Sequence, residues 1–319
     1  MKVPEKILSG LKKEKSIFIA AHINPDGDAL GAALALAEAL ESKGKETFVY
    51  SRDPVPVIYS FLPGYERISS DPRSMLKHRP VMVLLDCNSP ERAAVEKYGF
   101  KSSIVIDHHE TEKDFGDIKW IDPGAAATGL MVFYLVKALG VGITKEMATN
   151  LYTAISTDTG TFRYSNTSAE VLKVSAELVD AGAPPNLIAE QIYETWDRKR
   201  FRLLVIALNT LDIRKGIAIT HITKEMFRRT GTKPADTENF SNLPRMIESV
   251  KISAVFRETG RDIWKVSLRS KGASNVARIA EFFDGGGHKN AAGFSIKGDL
   301  KSAKSALLKV AGNLNMNKR

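Results

Sequence analysis

The first half of the chain alternates short apolar segments with helical segments, and this alternation restricts the fold more than any other feature. The apolar segments are SIFIAAH (16–22), ETFVYS (46–51), VMVLLDCN (81–88) and SIVIDHH (103–109). An alanine-rich segment at 28–44, ending in Gly44, separates the first two and is typical of a helix. Short continuous apolar strands separated by helices indicate βαβ units and a parallel sheet. We therefore predict an N-terminal α/β domain whose parallel sheet carries helices on both faces.

The second half of the chain has a different pattern. Helical periodicity continues through 126–140, 144–157, 168–181 and 185–210, and the last segment, polar at its start, predicts a connecting helix. Segments 216–223, 250–259 and 262–270 alternate apolar and polar residues, as strands with one exposed face do. A helical segment (274–283) and the glycine run GGGH (285–288) follow. We predict an N-terminal domain at 1–190, a helical linker at 191–215, and a smaller C-terminal mixed-sheet α/β domain at 216–319.

Charge is divided unevenly along the 319 residues. Residues 191–319 contain 25 Lys and Arg against 12 Asp and Glu, a formal charge of +13, whereas residues 1–190 carry −4. Such a division predicts cation binding in the first part and anion binding in the second, although a solvated basic surface is the alternative. The single cysteine, Cys87, excludes a disulfide framework and a cysteine-rich zinc site.

The sequence also bears on where the protein resides. Its N-terminus has lysines but lacks the long apolar stretch of a signal peptide. No segment approaches the roughly 20 apolar residues that a membrane helix needs. We expect a soluble, cytoplasmic protein without a membrane partner.

Acidic and imidazole side chains follow the predicted strands where each strand ends. In a parallel sheet the carboxyl ends of all strands meet at one edge, where ligands bind. A single Asp at such a position is more often a helix cap, but a whole group of acids would repel one another without bound cations. The convergent residues are His22, Asp26, Asp28, Asp86, Asp107, His108, His109 and, at the end of a helical segment, Asp158.

The composition of this group indicates which metal it would bind. Carboxylates with imidazoles and no thiolate suit Mn²⁺ or Mg²⁺, and suit Fe²⁺ or Co²⁺ less well. The number of ligands suits two ions that share one carboxylate, an arrangement that activates a water and neutralises phosphoryl oxygens. These residues therefore predict the hydrolysis of a phosphate ester.

Five motifs in order resemble the DHH–DHHA1 phosphoesterase family. They are HINPDGD, Asp86, DHH, STDTGTFR and GGGHKNAAG, and the resemblance extends from about residue 10 to 312. Within that family the chain resembles the short bacterial oligoribonucleases (nanoRNases), which are also 3′-phosphoadenosine-5′-phosphate (pAp) phosphatases, and stand-alone cyclic-di-AMP or pApA phosphodiesterases. The resemblance implies a DHH catalytic domain followed by a DHHA1 substrate-binding domain.

The resemblance also assigns roles to the convergent residues. It implies two Mn²⁺ ions, replaceable by Mg²⁺ or Co²⁺, with Asp86 bridging them. The other ligands would be His22 and Asp26 for one ion, and Asp28, His108 and Asp158 for the second. Asp107 would orient His108 as an outer partner. His109 would contact the scissile phosphate, as a hydrogen-bond donor or as the acid for the leaving oxygen.

The predicted second domain contains candidate anion-binding groups. Glycines allow close backbone approach with amides pointing inward, and a helix N-terminus offers further amides, although a glycine triplet can also be a flexible hairpin. No aromatic-rich stripe for a long single strand is present. The candidate substrate-binding residues are Arg257, Arg269, Ser270, Asn275, Gly286, Gly287 and His288.

These observations leave three hypotheses about function. The first is a phosphodiesterase or phosphatase for short nucleotides: di- to pentanucleotides, pApA, cyclic-di-AMP or pAp. The second is a single-strand exonuclease of the RecJ type, whose additional domains exceed the length of this chain. The third is a nucleotide-sensing module without catalysis, although no metal ligand is missing. We expect a short nucleotide as partner, no long duplex, and a possible homodimer.

Overall fold

The chain folds into two compact units, Met1–Thr195 and Trp196–Arg319, called here the first and second unit. The computed structural model describes residues 1–109 and 115–316, without the side chains of 288 and 313–316. No helix among these residues is both long enough and apolar enough to cross a membrane.

The first unit is built on a sheet in which all described strand pairs are parallel, in the order β2-β1-β3-β4-β5. The four strands predicted from the sequence are confirmed. A further strand at the edge of the sheet was not predicted. The strands are β1 (Ser16–Ala20), β2 (Glu46–Tyr50), β3 (Val81–Leu85), β4 (Ser103–Asp107) and β5 (Ile118–Ile121).

Helices cover both faces of this sheet, as predicted, but unequally. On one face the strands share a hydrophobic core with α1, α2 and α5–α8, and on the other they share one with the one-turn helices α3 and α4 and a group of aromatic rings around Phe18. The helices are α1 (Glu5–Lys13), α2 (Gly27–Glu41), α3 (Arg73–Leu76), α4 (Pro90–Ala93), α5 (Thr128–Ala138), α6 (Lys145–Asp158), α7 (Ala169–Asp180) and α8 (Pro185–Tyr193). Short 3₁₀ turns lie at Val57–Tyr59 and Tyr65–Arg67.

The alanine-rich composition of α2 has a packing reason. The helix is buried along nearly its whole length, and it lies directly against α6. A Cβ atom at Gly31 would lie 2.2 Å from the carbonyl oxygen of Asn150 in α6, well inside contact distance. Small side chains therefore allow the close approach of two helices that begin or end at the edge where the acidic residues collect.

The second unit contains a mixed sheet in the order β10-β11-β9-β8-β7-β6, in which only the β7–β8 pair among those described is parallel. This confirms the predicted mixed-sheet α/β architecture. The strands are β6 (Asp212–Arg214), β7 (Ile217–Ile222), β8 (Ile252–Gly260), β9 (Ile263–Ser270), β10 (Gly286–His288) and β11 (Ala291–Lys297). The helices are α9 (Arg198–Leu208), α10 (Lys224–Thr230), α11 (Ala277–Glu281) and α12 (Leu300–Met316), with 3₁₀ turns at Pro234–Thr237, Phe240–Asn242 and Pro244–Met246.

The single helix predicted at 185–210 is wrong, and the predicted linker at 191–215 contains the boundary between the two units. The helix is interrupted between α8 and α9, and the Asp197 carboxylate caps α9 by accepting a hydrogen bond from the Arg200 amide at 2.7 Å. Leu203 and Leu204 of α9 are buried against the second sheet, and β6 is one of its strands. Residues 198–214 are thus part of the second unit, because the apolar face of α9 needs that sheet for burial.

Candidate metal centre and substrate face

The loop between β1 and α2 places His22 and Asp26 at the carboxyl edge of the sheet. Asp26 caps α2: its Oδ1 accepts hydrogen bonds from the amides of Asp28 and Ala29 at 3.1 and 3.0 Å. The His22 Nε2 atom lies 3.3 Å from Oδ2 of Asp86 and 3.9 Å from Oδ1 of Asp26. The capping role that the sequence left open is therefore real, and it occupies the same carboxylate that approaches His22.

Asp86 lies at the centre of the group, directly after β3. Its backbone has φ 55°, in the left-handed region that costs a non-glycine residue roughly 1–3 kcal/mol. The Asp86 amide donates to the Ile106 carbonyl at 3.1 Å and helps to hold this conformation. Its Oδ2 faces His22, whereas its Oδ1 lies 3.4 Å from Nε2 of His108. The two carboxylate oxygens thus face two different imidazoles.

Asp28 is completely buried in the first turn of α2 and is held by the N-terminus of α5. The backbone amides of Thr128 and Gly129 donate to its Oδ2 and Oδ1, each at 2.7 Å. These amides have no partner inside their own helix, so a carboxylate satisfies them and is favoured there by the helix dipole. The Thr128 hydroxyl also donates to Oδ1 of Asp86 at 3.1 Å.

His108 joins Asp158 to this group. Its Nε2 lies 3.1 Å from Oδ2 of Asp158 and 3.7 Å from Oδ2 of Asp28. Its Nδ1 lies 3.2 Å from the Ala125 carbonyl, which assigns the Nδ1 proton to that bond and directs Nε2 at the carboxylates. Asp158 is the last residue of α6, where the helix dipole disfavours a negative charge. That position favours a cation beside it.

The partner predicted for Asp107 was wrong. Asp107 contacts His109, not His108: its Oδ1 lies 2.6 Å from Nδ1 of His109 and also accepts the His109 amide at 3.2 Å. The reason is the period of two along an extended chain, which places residues 107 and 109 on one side and residue 108 on the other. The Ala125 carbonyl takes the orienting role at His108 that was predicted for Asp107.

Burial and mutual repulsion perturb the titration of these groups. Burial, followed by the charges of Asp86 and Asp158, raises the pKa of Asp28 well above its ordinary value. Burial also raises the pKa of Asp158. At His22 burial acts to lower the pKa, but hydrogen bonds with Asp26 and Asp86 outweigh it and raise the pKa to about 11. The carboxylates therefore hold protons on their neighbours, as a site that prefers bound positive charge does.

The donor set fits divalent metal ions. Ligand atoms within 4.8 Å of one another form three groups among the described residues. The groups are His22–Asp26–Asp86, Asp28–His108–Asp158 and Asp86–His108–His109. Carboxylate oxygens and imidazole nitrogens without thiolate are the donors that Mn²⁺ and related ions accept. The structure thus brings the six predicted ligands together. The group that contains His22 consists of the three residues predicted for one ion, and the group that contains Asp158 has three of the four predicted for the other.

In the second unit, one face of the sheet carries the basic side chains. The β8–β9 register places Arg257 directly opposite Lys265, and alternation along β9 places Arg269 on the same face as Lys265. The Arg257 Nη1 donates to the Pro234 carbonyl at 2.8 Å, and its Nε is a buried donor without a partner among the described atoms. On β11, Ser295 pairs with Lys265 and Gly293 pairs with Ser267, so small side chains lie next to Lys265 on this face.

Two of the predicted substrate-binding residues make hydrogen bonds within the second unit. Ser270 is 1% exposed, and its hydroxyl lies 2.9 and 3.0 Å from the carbonyl oxygens of Ser274 and Lys289. It thereby joins the loop before α11 to the loop after β10, and its burial leaves no room for a ligand. The Asn275 Oδ1 accepts the Ala277 amide at 3.0 Å and supports the start of α11.

The glycine run forms β10 and pairs with β11. Gly287 has φ 139°, and a Cβ atom there would lie 2.4 Å from the Ala291 carbonyl oxygen, so glycine is required for this pairing. At Gly286 a Cβ atom would meet no atom within 4 Å, which leaves open space above the strand. His288 pairs with Ala291 in the backbone, but its side chain lies outside the described residues.

Comparison with known proteins identifies both units. The family models for the DHH family, N-terminal domain, and for the DHHA1 domain match residues 16–155 and 216–314. The chain belongs to the DHH–DHHA1 family. It is accordingly a phosphoric ester hydrolase, as the resemblance implied.

Individual relatives cover nearly all of this DHH–DHHA1 chain. A Thermus thermophilus protein named bifunctional oligoribonuclease and PAP phosphatase NrnA is 39% identical over 92% of this chain and 89% of its own length. A Bacillus subtilis protein of the same name is 26% identical over 88% of this chain and 89% of its own length. The crystal structure of an exopolyphosphatase-related protein from Bacteroides fragilis matches with a TM-score of 0.89 and 30% identity, over 97% of this chain and 95% of that one.

Three residues of the DHH–DHHA1 site were missed by the sequence analysis. Thr128 and Gly129 lie at the start of α5, and the expected start of that helix at 126 hid their role as donors. Lys265 lies across from Arg257, and the alternation of β9 could have identified it once the register of β8 was known. To recognise Thr128 and Gly129 one needs the position of α5 relative to α2, which no local sequence pattern gives.

Proposed function

We propose that this DHH–DHHA1 protein hydrolyses phosphate esters of short nucleotides with two divalent metal ions, Mn²⁺ being the expected metal. The observation that carries the proposal is the position of Asp86, whose two oxygens face His22 on one side and His108 on the other. A carboxylate in that position can bridge two ions, the arrangement that phosphoesterases use. The names of the Thermus thermophilus and Bacillus subtilis relatives support short oligoribonucleotides and pAp as substrates.

Different residues of the DHH domain would bind the metal ions and assist the leaving group. Two bound ions would supply Lewis acidity toward the phosphoryl oxygens and an activated water. His22 and Asp26 would bind one ion, and Asp28, His108 and Asp158 the other, with Asp86 shared. His109 would serve the leaving oxygen as a hydrogen-bond donor or as an acid, and its contact with Asp107, 2.6 Å from Nδ1 to Oδ1, orients the ring.

The DHHA1 domain would bind the phosphate at the end of the nucleotide. Like charges directly opposite each other in a sheet are destabilising, and neither Arg257 nor Lys265 forms an ion pair within the described part of the chain. Burial, followed by the charge of Arg257, lowers the pKa of Lys265. A phosphate between the two side chains would remove this repulsion, so we expect selectivity for pApA, pAp and short oligonucleotides that carry a terminal phosphate.

The first experiment tests the metal chemistry. Asp86→Asn should reduce Mn²⁺-dependent hydrolysis of pApA, pAp and a dinucleotide below a tenth of the wild-type rate, because both ions lose a shared charge. The control is Asp117→Asn. The Asp117 carboxylate accepts hydrogen bonds from Ser103 at the amino end of β4, whereas the metal centre lies at the carboxyl ends of the strands. Retention of more than a tenth of the activity by Asp86→Asn would contradict the two-ion proposal.

The second experiment tests the phosphate anchor. Lys265→Ala should lower kcat/KM on pApA by about 10- to 150-fold, the equivalent of the roughly 1.5–3 kcal/mol of a hydrogen bond to a charged group. Hydrolysis of bis-p-nitrophenyl phosphate, which has no second phosphate, should be unchanged. The control Lys173→Ala alters an exposed lysine of α7. A higher kcat/KM on a 24-mer than on a dinucleotide would overturn the anchor and favour an exonuclease.

A further inference from the structure

Thr128 contacts two carboxylates of the candidate metal centre at once. Its backbone amide donates to Oδ2 of Asp28 at 2.7 Å, and its hydroxyl donates to Oδ1 of Asp86 at 3.1 Å. Thr128 and Asp28 are completely buried, and Asp86 is 3% exposed. The amide contact is available to any residue at this position except proline, whereas the hydroxyl contact requires threonine or serine.

The hydroxyl fixes the rotation of the Asp86 carboxylate. Torsions between an sp³ carbon and a carboxylate are soft, so the side chain alone does not determine which oxygen faces which neighbour. The Thr128 hydroxyl approaches Oδ1, the oxygen that lies 3.4 Å from His108, and leaves Oδ2 to face His22 at 3.3 Å. Without this donor the carboxylate could turn and present both oxygens to one imidazole.

The threonine side chain is itself held in place. It occupies the first position of α5, where the helix geometry restricts a β-branched residue to few rotamers. The next residue is Gly129, and a Cβ atom there would lie 2.4 Å from Cβ of Ala154 and 3.2 Å from Oδ1 of Asp28, so no larger residue fits. The N-terminus of α5 is therefore packed tightly against α2 and α6, and the hydroxyl has little freedom to leave Asp86.

We propose that Thr128 is a positioning residue that keeps Asp86 shared between two metal ions. The proposal rests on the two-ion function and adds a residue that controls how firmly the second ion is held. Thr128 touches neither the ion nor the substrate in this role: it acts through Asp86. Replacing a residue that holds a metal-ligating carboxylate typically lowers the metal affinity 10- to 100-fold.

The test compares two isosteric substitutions. Thr128→Val keeps the shape and the backbone amide but removes the hydroxyl. Thr153→Val is the control, because Thr153 is also completely buried in the same domain and its hydroxyl donates only to the Thr149 carbonyl, at 2.8 Å, among the partners described. Metal-free protein is titrated with Mn²⁺ by calorimetry, and the bound metal is counted by elemental analysis.

The expected result is specific to the second ion. Wild type and Thr153→Val should bind two ions, and Thr128→Val should bind one ion normally and the second about 10- to 100-fold more weakly. Thr128→Ser, which restores the hydroxyl, should bind both within about threefold of wild type. Hydrolysis by Thr128→Val should recover to more than half of wild type as Mn²⁺ is raised.

Several outcomes would overturn the proposal. Equal affinities in Thr128→Val and wild type would show that the hydroxyl does not position Asp86, and equal weakening by Thr153→Val would assign the effect to packing. Failure of Thr128→Ser to restore affinity would have the same meaning. If Thr128→Val does not fold, Thr128→Ala carries the same expectation. Wild type that binds a single ion would instead contradict the two-ion function itself.

Discussion

Replacement of Asp107 by asparagine tests the division of roles within the DHH motif. Asp107 is completely buried, and its Oδ1 lies 2.6 Å from Nδ1 of His109. Asn keeps the shape and can still accept that hydrogen bond, but it removes the negative charge that lies beside His109. A hydrogen bond to a charged group is worth about 1.5–3 kcal/mol, which corresponds to about 10- to 150-fold in kcat. Metal content should not change, because the Ala125 carbonyl holds His108.

The assay measures kcat on pApA at saturating Mn²⁺ together with metal content. His109→Gln should also keep its metal and lose activity, by the roughly 10²–10⁴-fold typical of a general acid. His108→Ala should lose metal. The double variant Asp107→Asn/His109→Gln should be no slower than His109→Gln alone, because Asp107 acts through His109.

Two results would refute this reasoning. If Asp107→Asn is as poor in metal as His108→Ala, then Asp107 supports a ligand and the side-chain alternation does not determine function here. If the losses in the double variant multiply, then Asp107 and His109 act independently. In either case His109 could act as the proton donor only if a residue other than Asp107 oriented its ring.

Further predictions concern packing and protonation. Gly31→Ala should lower the free energy of unfolding by about 1–3 kcal/mol or more in urea, since its Cβ would lie 2.2 Å from the Asn150 carbonyl oxygen. Gly142→Ala, whose Cβ would meet no atom within 4 Å, should be neutral, and equal effects would contradict the packing of α2 on α6. Because the pKa of His22 is raised to about 11, an ion must displace a proton at pH 7, so binding should tighten as pH rises. Calorimetry in buffers of different ionisation enthalpy should detect the released proton, and a buffer-independent heat would contradict it.

The sequence was most informative where a local pattern determines the structure. The apolar runs of β1 to β4 and the polar residues that end them are local signals, and parallel topology then brings His22, Asp86 and His108 to one edge. The edge strand β5 was missed because only Trp120 of its four residues is buried. A strand of that kind owes its conformation to its neighbour β4.

The remaining errors have physical causes of the same kind. The break between α8 and α9 was missed because the helical periodicity was extended through Asp197, a residue type that commonly begins helices. Thr128 could not be recognised because its partners lie 42 and 100 residues away in the chain. Contacts between residues so far apart in the chain are determined by the packing of whole helices, which a single sequence does not show.

The left-handed backbone at Asp86 has an evolutionary consequence. Asparagine adopts this conformation more readily than most residues, and a single base change converts an aspartate codon to an asparagine codon. The substitution that removes the shared charge is therefore among the least disruptive ones for the backbone at this position. On the proposed function, a gene duplicate could lose hydrolysis in one step and keep its DHHA1 domain intact. The proposed function thus places the scaffold one mutation from a receptor that would bind the same ligands without consuming them.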